Sequence, residues 1–264
     1  MAGRNKLQKF AEMLEFPNVY ENFDNAELTL TGANGAIVDM KGNWNALHFK
    51  ENRPITLELA CGRGEYALAL GRMFPERNFI GVDIKGARIH QGARVAMEEK
   101  LDNVAFLRTR IEFIEHFFAQ NEVAEIWITF PDPFLRESKS NRRLTSSIFL
   151  AKYRQFLQAD GCVHLKTDSP VLYDFTLQTL ADTEGVNLEF ADDDFYAKPL
   201  TMKELEVKTH YEKKNIANST MKYIRFKFWV NGFEGRGDAI NRSEERRVGK
   251  ECWTWCRSRW SPYH

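Results

Sequence analysis

Phe130-Pro131-Asp132-Pro133 sets one carboxylate between two prolines, directly after the apolar run Glu125-Ile126-Trp127-Ile128-Thr129. Proline fixes its own φ and removes a backbone donor. It also pushes the residue before it toward extended geometry. Asp132 is therefore expected to be a stiffly held carboxylate at the C-terminal end of a buried strand, with Phe130 extended. Open α/β sheets bind their ligands at that end. The same residue types make ordinary turns, so the tetrapeptide gains meaning only from what accompanies it. A second set of residues is Glu58-Leu59-Ala60-Cys61-Gly62-Arg63-Gly64-Glu65. Gly62 and Gly64 permit a tight turn and a close approach to the backbone, and a helix that follows presents free N–H groups. Dinucleotide enzymes and many structural turns also contain Gly-x-Gly. Two acidic residues sharpen the reading. Asp83 ends Ile80-Gly81-Val82-Asp83, where it can accept from two vicinal ribose hydroxyls. Glu58 is a charge inside an apolar strand, and such a charge is rarely idle. A carboxylate there suits a cationic cofactor carrying an amino group and suits a pyrophosphate poorly.

The elements that must position these groups alternate. Strands are predicted over 55–60, 78–82, 104–107, 125–129, 161–167, 187–191 and 223–229. Helices are predicted over 65–73, 87–100, 111–118, 144–158 and 169–183, the last with Ser169 as cap and Pro170 at its first position. Strands alternating with helices imply a mostly parallel, doubly wound α/β sheet. The last two predicted strands have no helix between them and imply an antiparallel edge. Residues 1–53 read as a polar, irregular N-terminal extension with one short helix over 6–15, and residues 54–230 as the catalytic domain.

Composition narrows the classes further. No run approaches the roughly 18 apolar residues of a membrane span, and the N-terminus leads into no apolar signal segment; a cytoplasmic protein without a membrane is expected. From Arg242 the composition changes abruptly to Arg-Ser-Glu-Glu-Arg-Arg-Val-Gly-Lys-Glu-Cys. Common sequencing-adapter DNA encodes that peptide when read in frame, so 242–264 is expected to be a non-native tail and the native C-terminus to lie after Phe228. The tail holds six Lys/Arg and three Asp/Glu, so a chain of formal net charge zero becomes −3 without it. Any nucleic-acid binding then needs a local patch. Cys61 and Cys162 lie in strand-like contexts, expected to be reduced core residues, and no metal spacing is present.

The strand-borne Glu58 before Gly62-x-Gly64 resembles the first motif of class I S-adenosyl-L-methionine (SAM)-dependent methyltransferases. Together with Gly81-Val82-Asp83, Phe130-Pro131-Asp132-Pro133, Asn141-Arg142-Arg143-Leu144-Thr145, His164-Leu165-Lys166-Thr167-Asp168 and Thr209-His210-Tyr211-Glu212, it is similar to the bacterial tRNA (guanine-N7-)-methyltransferase family over roughly residues 50–228. That resemblance implies a Rossmann-like class I fold and methyl transfer from SAM to N7 of a variable-loop guanine in tRNA, with no metal, by a monomer or homodimer. It implies that Glu58, Gly62, Gly64, Asp83 and Asp132 line the SAM site, with Asp132 the catalytic residue, and that Arg136, Asp168, Thr209 and Glu212 meet the substrate. Three positions depart from the family. Phe134 replaces a usual Trp, Arg136 stands where Lys is frequent, and Arg110 stands where an Asp commonly accepts from the adenine amino group. Arg110 cannot accept a hydrogen bond, so Glu112 or a backbone carbonyl would have to replace it.

Guanine N7 carries a lone pair and no proton, so Asp132 is expected to orient and stabilise without acting as a base. Arg136, Lys139, Arg142 and Arg143 form an expected phosphate patch. His164 reads as a satisfied core histidine. Two other classes compete: an enzyme methylating a base amino group, which would carry Asn/Asp-Pro-Pro-aromatic, and a non-catalytic SAM-binding RNA protein. A dinucleotide oxidoreductase is more distant.

Overall fold

The computed structural model describes residues 6–23, 26–215 and 220–229. In chain order the strands are β1 (Val19–Glu21), β2 (Leu30–Thr31), β3 (Ile37–Val38), β4 (Ile55–Leu59), β5 (Asn78–Asp83), β6 (Val104–Arg108), β7 (Val123–Thr129), β8 (Leu157–Thr167), β9 (Val186–Asp192) and β10 (Lys222–Phe228). The α-helices are α1 (Lys6–Met13), α2 (Glu65–Met73), α3 (Gly86–Glu98), α4 (Ser147–Tyr153), α5 (Pro170–Asp182) and α6 (His210–Asn215). The expected tail, 242–264, lies outside the described residues.

All ten strands join one sheet in the order β3-β2-β1-β6-β5-β4-β7-β8-β10-β9. The run from β1 to β8 is parallel. β10 lies antiparallel between β8 and β9, the edge expected of the last two strands, although α6, which the sequence reading did not predict, lies between them in the chain. The central strands are nearly continuous in apolar residues because both faces are covered. Tyr66, Leu70, Ile89 and Ala93 of α2 and α3 pack on one face with Phe79, Phe106 and Trp127. Phe149, Leu150, Leu172 and Leu180 of α4 and α5 pack on the other with Leu57, Ile80, Ile126 and Val163. Each fully buried Leu, Ile, Val or Phe among them contributes about 1.5–3 kcal/mol of transfer free energy.

Three local readings change. The helix predicted over 144–158 is only α4, because β8 begins at Leu157. Its register shifts between Val123 and Glu125 of β7, and a Cβ at Gly161 would meet the Ala124 carbonyl at 2.9 Å. A bulge closed by a glycine reads as a loop from sequence. The segment after β6 is 3₁₀ over Ile111–His116. The N-terminal extension is woven into the sheet: β1 pairs in parallel with β6, β2 and β3 extend it, and buried Trp44 donates to the Phe117 carbonyl at 2.9 Å. Strands of two or three residues are too short to show a period of two.

Candidate active site

The chain leaves β4 toward β5 and β6 on one side, then returns to β7 and β8 on the other. This makes the carboxyl edge beside β4 a topological switch point, where open α/β sheets bind ligands. Asp83 ends β5, the glycine turn follows β4, Pro131-Asp132-Pro133 follows β7, and Asp168 follows β8. Four separate stretches of sequence thus line one edge.

The glycine turn is built from left-handed residues: Ala60 (φ 57°), Gly62 (φ 59°) and Gly64 (φ 65°). Gly64 caps α2, and a Cβ there would lie 2.3 Å from the Phe106 ring. At Gly62 an added Cβ would meet only Arg88, at 4.0 Å, so that side is open. Two carboxylates tie the turn down. Asp83 Oδ2 accepts from Gly62 N at 2.9 Å and its Oδ1 from Lys85 N at 2.8 Å. Glu58 accepts from Ala67 N at 2.8 Å and from the Thr129 hydroxyl at 3.2 Å, bridging β4, α2 and β7. Burial pushes the Glu58 carboxyl up to about 8, against the pull of those two donors. An open glycine cradle, a helix N-terminus and two acidic side chains fit a ligand with a diol and an ammonium group, whose positive charge would favour the ionised form of Glu58.

Across the switch point, Asp132 is exposed and its Oδ1 accepts from Phe134 N at 2.9 Å. Phe130 is not extended as its following proline predicts. It is left-handed, at φ 48°, and Phe134 is left-handed at φ 41°. Tertiary contacts override the local preference. Phe130 N continues the β7–β8 ladder to the Lys166 carbonyl at 2.8 Å, and its ring packs on Tyr211 with centroids 5.5 Å apart. Left-handed non-glycine residues cost on the order of 1–3 kcal/mol and persist where the surroundings over-determine them.

Arg143 supplies part of that bracing, and its placement corrects the expected phosphate patch. The side chain is 1% exposed, donates to the carbonyls of Pro133 (3.0 Å) and Phe134 (3.1 Å), and stacks 4.3 Å from the Phe175 ring. It holds the Pro-Asp-Pro loop from beneath. Arg136, Lys139 and Arg142 remain exposed, with Arg142 over the Phe134 ring at 4.6 Å. Arg110 is exposed two residues after β6, just before the 3₁₀ segment, 3.5 Å from the Glu112 carboxylate.

Asp168 is partly buried, and its Oδ2 accepts from the Tyr211 hydroxyl at 3.1 Å. Thr209 and Glu212 cap the start of α6 reciprocally: Glu212 Oε2 accepts from Thr209 N and Thr209 Oγ1 from Glu212 N, both at 3.2 Å. Glu212 is fully buried. Its carboxylate lies 3.0 Å from Lys166 Nζ, with both side chains 0% exposed. Lys166 also donates to the Val207 carbonyl at 2.7 Å, among the rings of Tyr66, Phe130, Phe195 and Tyr196. Burial pushes the Lys166 ammonium down to about 8, partly offset by Glu212. His210 N donates to Glu65 Oε2 at 2.5 Å, which fixes the start of α6 to the helix after the glycine turn.

Lys166 and Tyr211 enter the sequence reading only inside the segments 164–168 and 209–212, and Glu65 only at the end of the glycine turn. Lys166 carried the signal that marked Glu58, a charge in an apolar strand. His164 is a core histidine: it is stacked 4.0 Å from Trp127, its Nδ1 pairs with the Tyr223 hydroxyl at 2.7 Å, and burial lowers it to about 3. Among the described residues no group of three or more His, Cys, Asp or Glu could hold a metal ion, and no helix is long and apolar enough to cross a membrane.

A methyltransferase family described as "Putative methyltransferase" matches residues 52–224. The chain is 45% identical over 225 residues to the tRNA (guanine-N(7)-)-methyltransferase of Bacteroides fragilis, covering 85% of this chain and 86% of that one. It is 46% identical over 229 residues to the protein of the same name from Christiangramia forsetii, covering 86% and 99%. The solved structure of the 16S rRNA methyltransferase KamB superposes with a TM-score of 0.54 at 12% identity, over 74% of this chain and 97% of that one, a likeness of fold. Edge geometry, family match and relatives agree, and the chain belongs to the tRNA (guanine-N(7)-)-methyltransferase family.

Proposed function

We infer that this chain transfers the methyl group of SAM to N7 of a guanine in the variable loop of tRNA, forming 7-methylguanosine. The observation that carries the reading is the alignment along one sheet edge of a glycine cradle held by Glu58 and Asp83 with a braced, outward Asp132, in a chain 45% identical to proteins named for that reaction. Glu58, Gly62, Gly64 and Asp83 hold the cofactor, and Asp132 lies between cofactor and base. SAM, when bound, supplies an electrophilic methyl on a cationic sulfur. Such a substrate places the enzyme in the cytoplasm.

N7 presents a lone pair, so no side chain has to remove a proton. What the protein contributes is alignment of the two reactants and a field that favours positive charge on the guanine imidazole ring. Asp132 and Asp168 supply that field and accept from the guanine N1–H and amino group. Arg136, with Lys139 and Arg142, contacts phosphates beside the edge. Thr209 and Glu212 serve the substrate by fixing the start of α6 over the site. The test is incubation of the full chain with labelled SAM and unmodified tRNA, followed by mapping of 7-methylguanosine by chemical cleavage. Cleavage in the variable loop is expected, and none there overturns the reading. Asp132→Asn should lower kcat/KM by at least about tenfold, because the amide keeps the Phe134 N–H bond and loses the charge; kcat/KM near wild type would remove Asp132 from its role.

A further inference from the structure

We propose that Arg63, Lys85 and Arg88 form a second surface for the ribose–phosphate backbone of the RNA substrate, on the cofactor side of the switch point. The inference rests on the methyl-transfer reading above and assigns three residues which that reading leaves unused. Arg63 stands between the two glycines of the turn, Lys85 directly precedes α3, and Arg88 lies in its first turn; all three are exposed. The Arg88 guanidinium reaches the open side of Gly62, 4.0 Å from where a Cβ would stand. Arg136, Lys139 and Arg142 follow β7, on the other side of β4. β5 and β7 are both neighbours of β4, so at ~4.8 Å per strand step their ends stand about 10 Å apart. A backbone that brings one base to the middle of this edge passes both groups of cations.

What the three lack sets them apart from other surface cations. Arg72, Arg94, Arg108 and Arg225 each lie within 3.4 Å of a glutamate carboxylate. Among the described residues Arg63, Lys85 and Arg88 form no ion pair. The carboxylates nearest them in the chain are turned elsewhere: Asp83 accepts from Gly62 N and Lys85 N, and Glu65 Oε2 accepts from His210 N. Like charges gathered in adjoining loops repel one another, and an anion that joins them removes that cost.

The charge of the whole edge agrees. The connections leaving the carboxyl ends of β4 to β8 (60–64, 84–85, 109–110, 130–146 and 168–169) hold seven Lys/Arg and three Asp/Glu. The connections entering the same five strands (50–54, 74–77, 99–103, 117–122 and 154–156) hold five of each. A chain of formal net charge zero thus carries its positive excess at the end of the sheet where the site lies. Such a local field draws a polyanion to that end. Cations that meet phosphates fix register and orientation without reading bases, so this surface holds the tRNA and leaves the choice of guanine to Asp132 and Asp168. The carboxylate of SAM is the other anion expected here. It carries one charge, and three cations spread over two loops exceed what it needs.

The experiment compares the full-length wild type with two triple variants that each remove three positive charges. One is Arg63→Gln with Lys85→Gln and Arg88→Gln. The other, at the opposite end of the sheet, is Lys50→Gln with Arg53→Gln and Lys100→Gln. Filter binding of unmodified tRNA is read from 50 to 200 mM salt, alongside Kd for SAM by calorimetry and formation of 7-methylguanosine. The first triple should lower the slope of log affinity against log salt by about 2–3, which narrows the affinity change across that salt range by about 20- to 40-fold. Its KM for tRNA should rise, while SAM affinity holds within about twofold and shows that the fold is kept. The second triple should keep the wild-type slope. An unchanged slope in the first triple, or an equal fall in both, overturns the inference while leaving N7 methylation standing. So does a first triple that loses SAM affinity and keeps its slope, since the cations would then serve the cofactor's carboxylate. A wild type that forms no 7-methylguanosine overturns the functional reading and this inference with it.

Discussion

Glu58→Gln separates the cost of a buried charge from its use. The Glu58 side chain is 4% exposed, and burial pushes its carboxyl up to about 8 from an ordinary 4.5. In the unfolded chain it ionises near 4.5, so the folded protein holds the proton more tightly across the window between the two values. The stability contributed by the protonated carboxyl is fully present below about pH 4.5 and is lost as pH rises through about 8. The slope for one group is about 1.4 kcal/mol per pH unit, so about 3 kcal/mol is lost between pH 5.5 and 8, an upper bound because internal rearrangement softens the penalty. Glutamine keeps the shape: its carbonyl can accept from Ala67 N and its amide can donate to Thr129 Oγ1. Urea unfolding of ligand-free wild type and variant at both pH values gives the test. The difference between the two proteins should move by about 3 kcal/mol in the variant's favour from pH 5.5 to 8. His48 and His164, lowered by burial to about 4 and about 3, gain stability with pH below their ordinary 6.5, but they are common to both proteins and cancel. Saturating SAM should shrink the difference at pH 8, since a cationic neighbour favours the ionised glutamate. Parallel pH curves for the two proteins would refute the claim that burial penalises this charge.

Gly64→Ala should cost about 3 kcal/mol or more in chemical denaturation, combining a left-handed φ with a Cβ 2.3 Å from Phe106. Gly62→Ala, strained but unobstructed, should cost about 1 kcal/mol and act mainly on SAM affinity measured by calorimetry. Glu212→Gln should destabilise by about 3 kcal/mol at pH 7 by leaving Lys166 charged without its partner. Without Glu212 the Lys166 ammonium lies lower still, so that cost should be largest at low pH and shrink as pH rises toward about 8. Arg136→Gln should weaken tRNA binding at all sequences and lower the slope of log affinity against log salt by about 0.7–0.9, read by filter binding at several salt concentrations.

The sheet and its loaded edge were visible in the sequence because each signal was local. Glu58, Gly62, Gly64 and Asp83 fall within two strand–turn units, and Asp132 stands between prolines. What escaped required knowing which way a side chain turns. Arg142 and Arg143 are neighbours of one type, yet one is exposed and the other is buried under the Pro-Asp-Pro loop. Lys166 and Glu212 are 46 residues apart and become a pair only once β8 and α6 are placed. The short N-terminal strands had too few residues to alternate. Phe130 shows the limit of a local rule, since its following proline favoured extension and the β7–β8 ladder with the Tyr211 contact decided otherwise.

The strained residues and the buried cations answer one another. Ala60, Phe130 and Phe134, all left-handed without being glycine, follow the two strands that flank the switch point. Arg143 grips the carbonyls around Phe134, and Lys166 grips Val207 and Glu212 behind Phe130. A buried cation is a costly way to hold a loop, since an apolar residue of similar volume often serves stability as well or better. It does offer fixed direction: each donor admits few arrangements of the carbonyls it meets. A methyl transfer that needs no proton transfer from the base leaves the protein little to do except fix positions, and a small misplacement is then expensive in rate. Stability exchanged for rigidity around Asp132, Asp168 and Tyr211 is the trade that such a reaction favours.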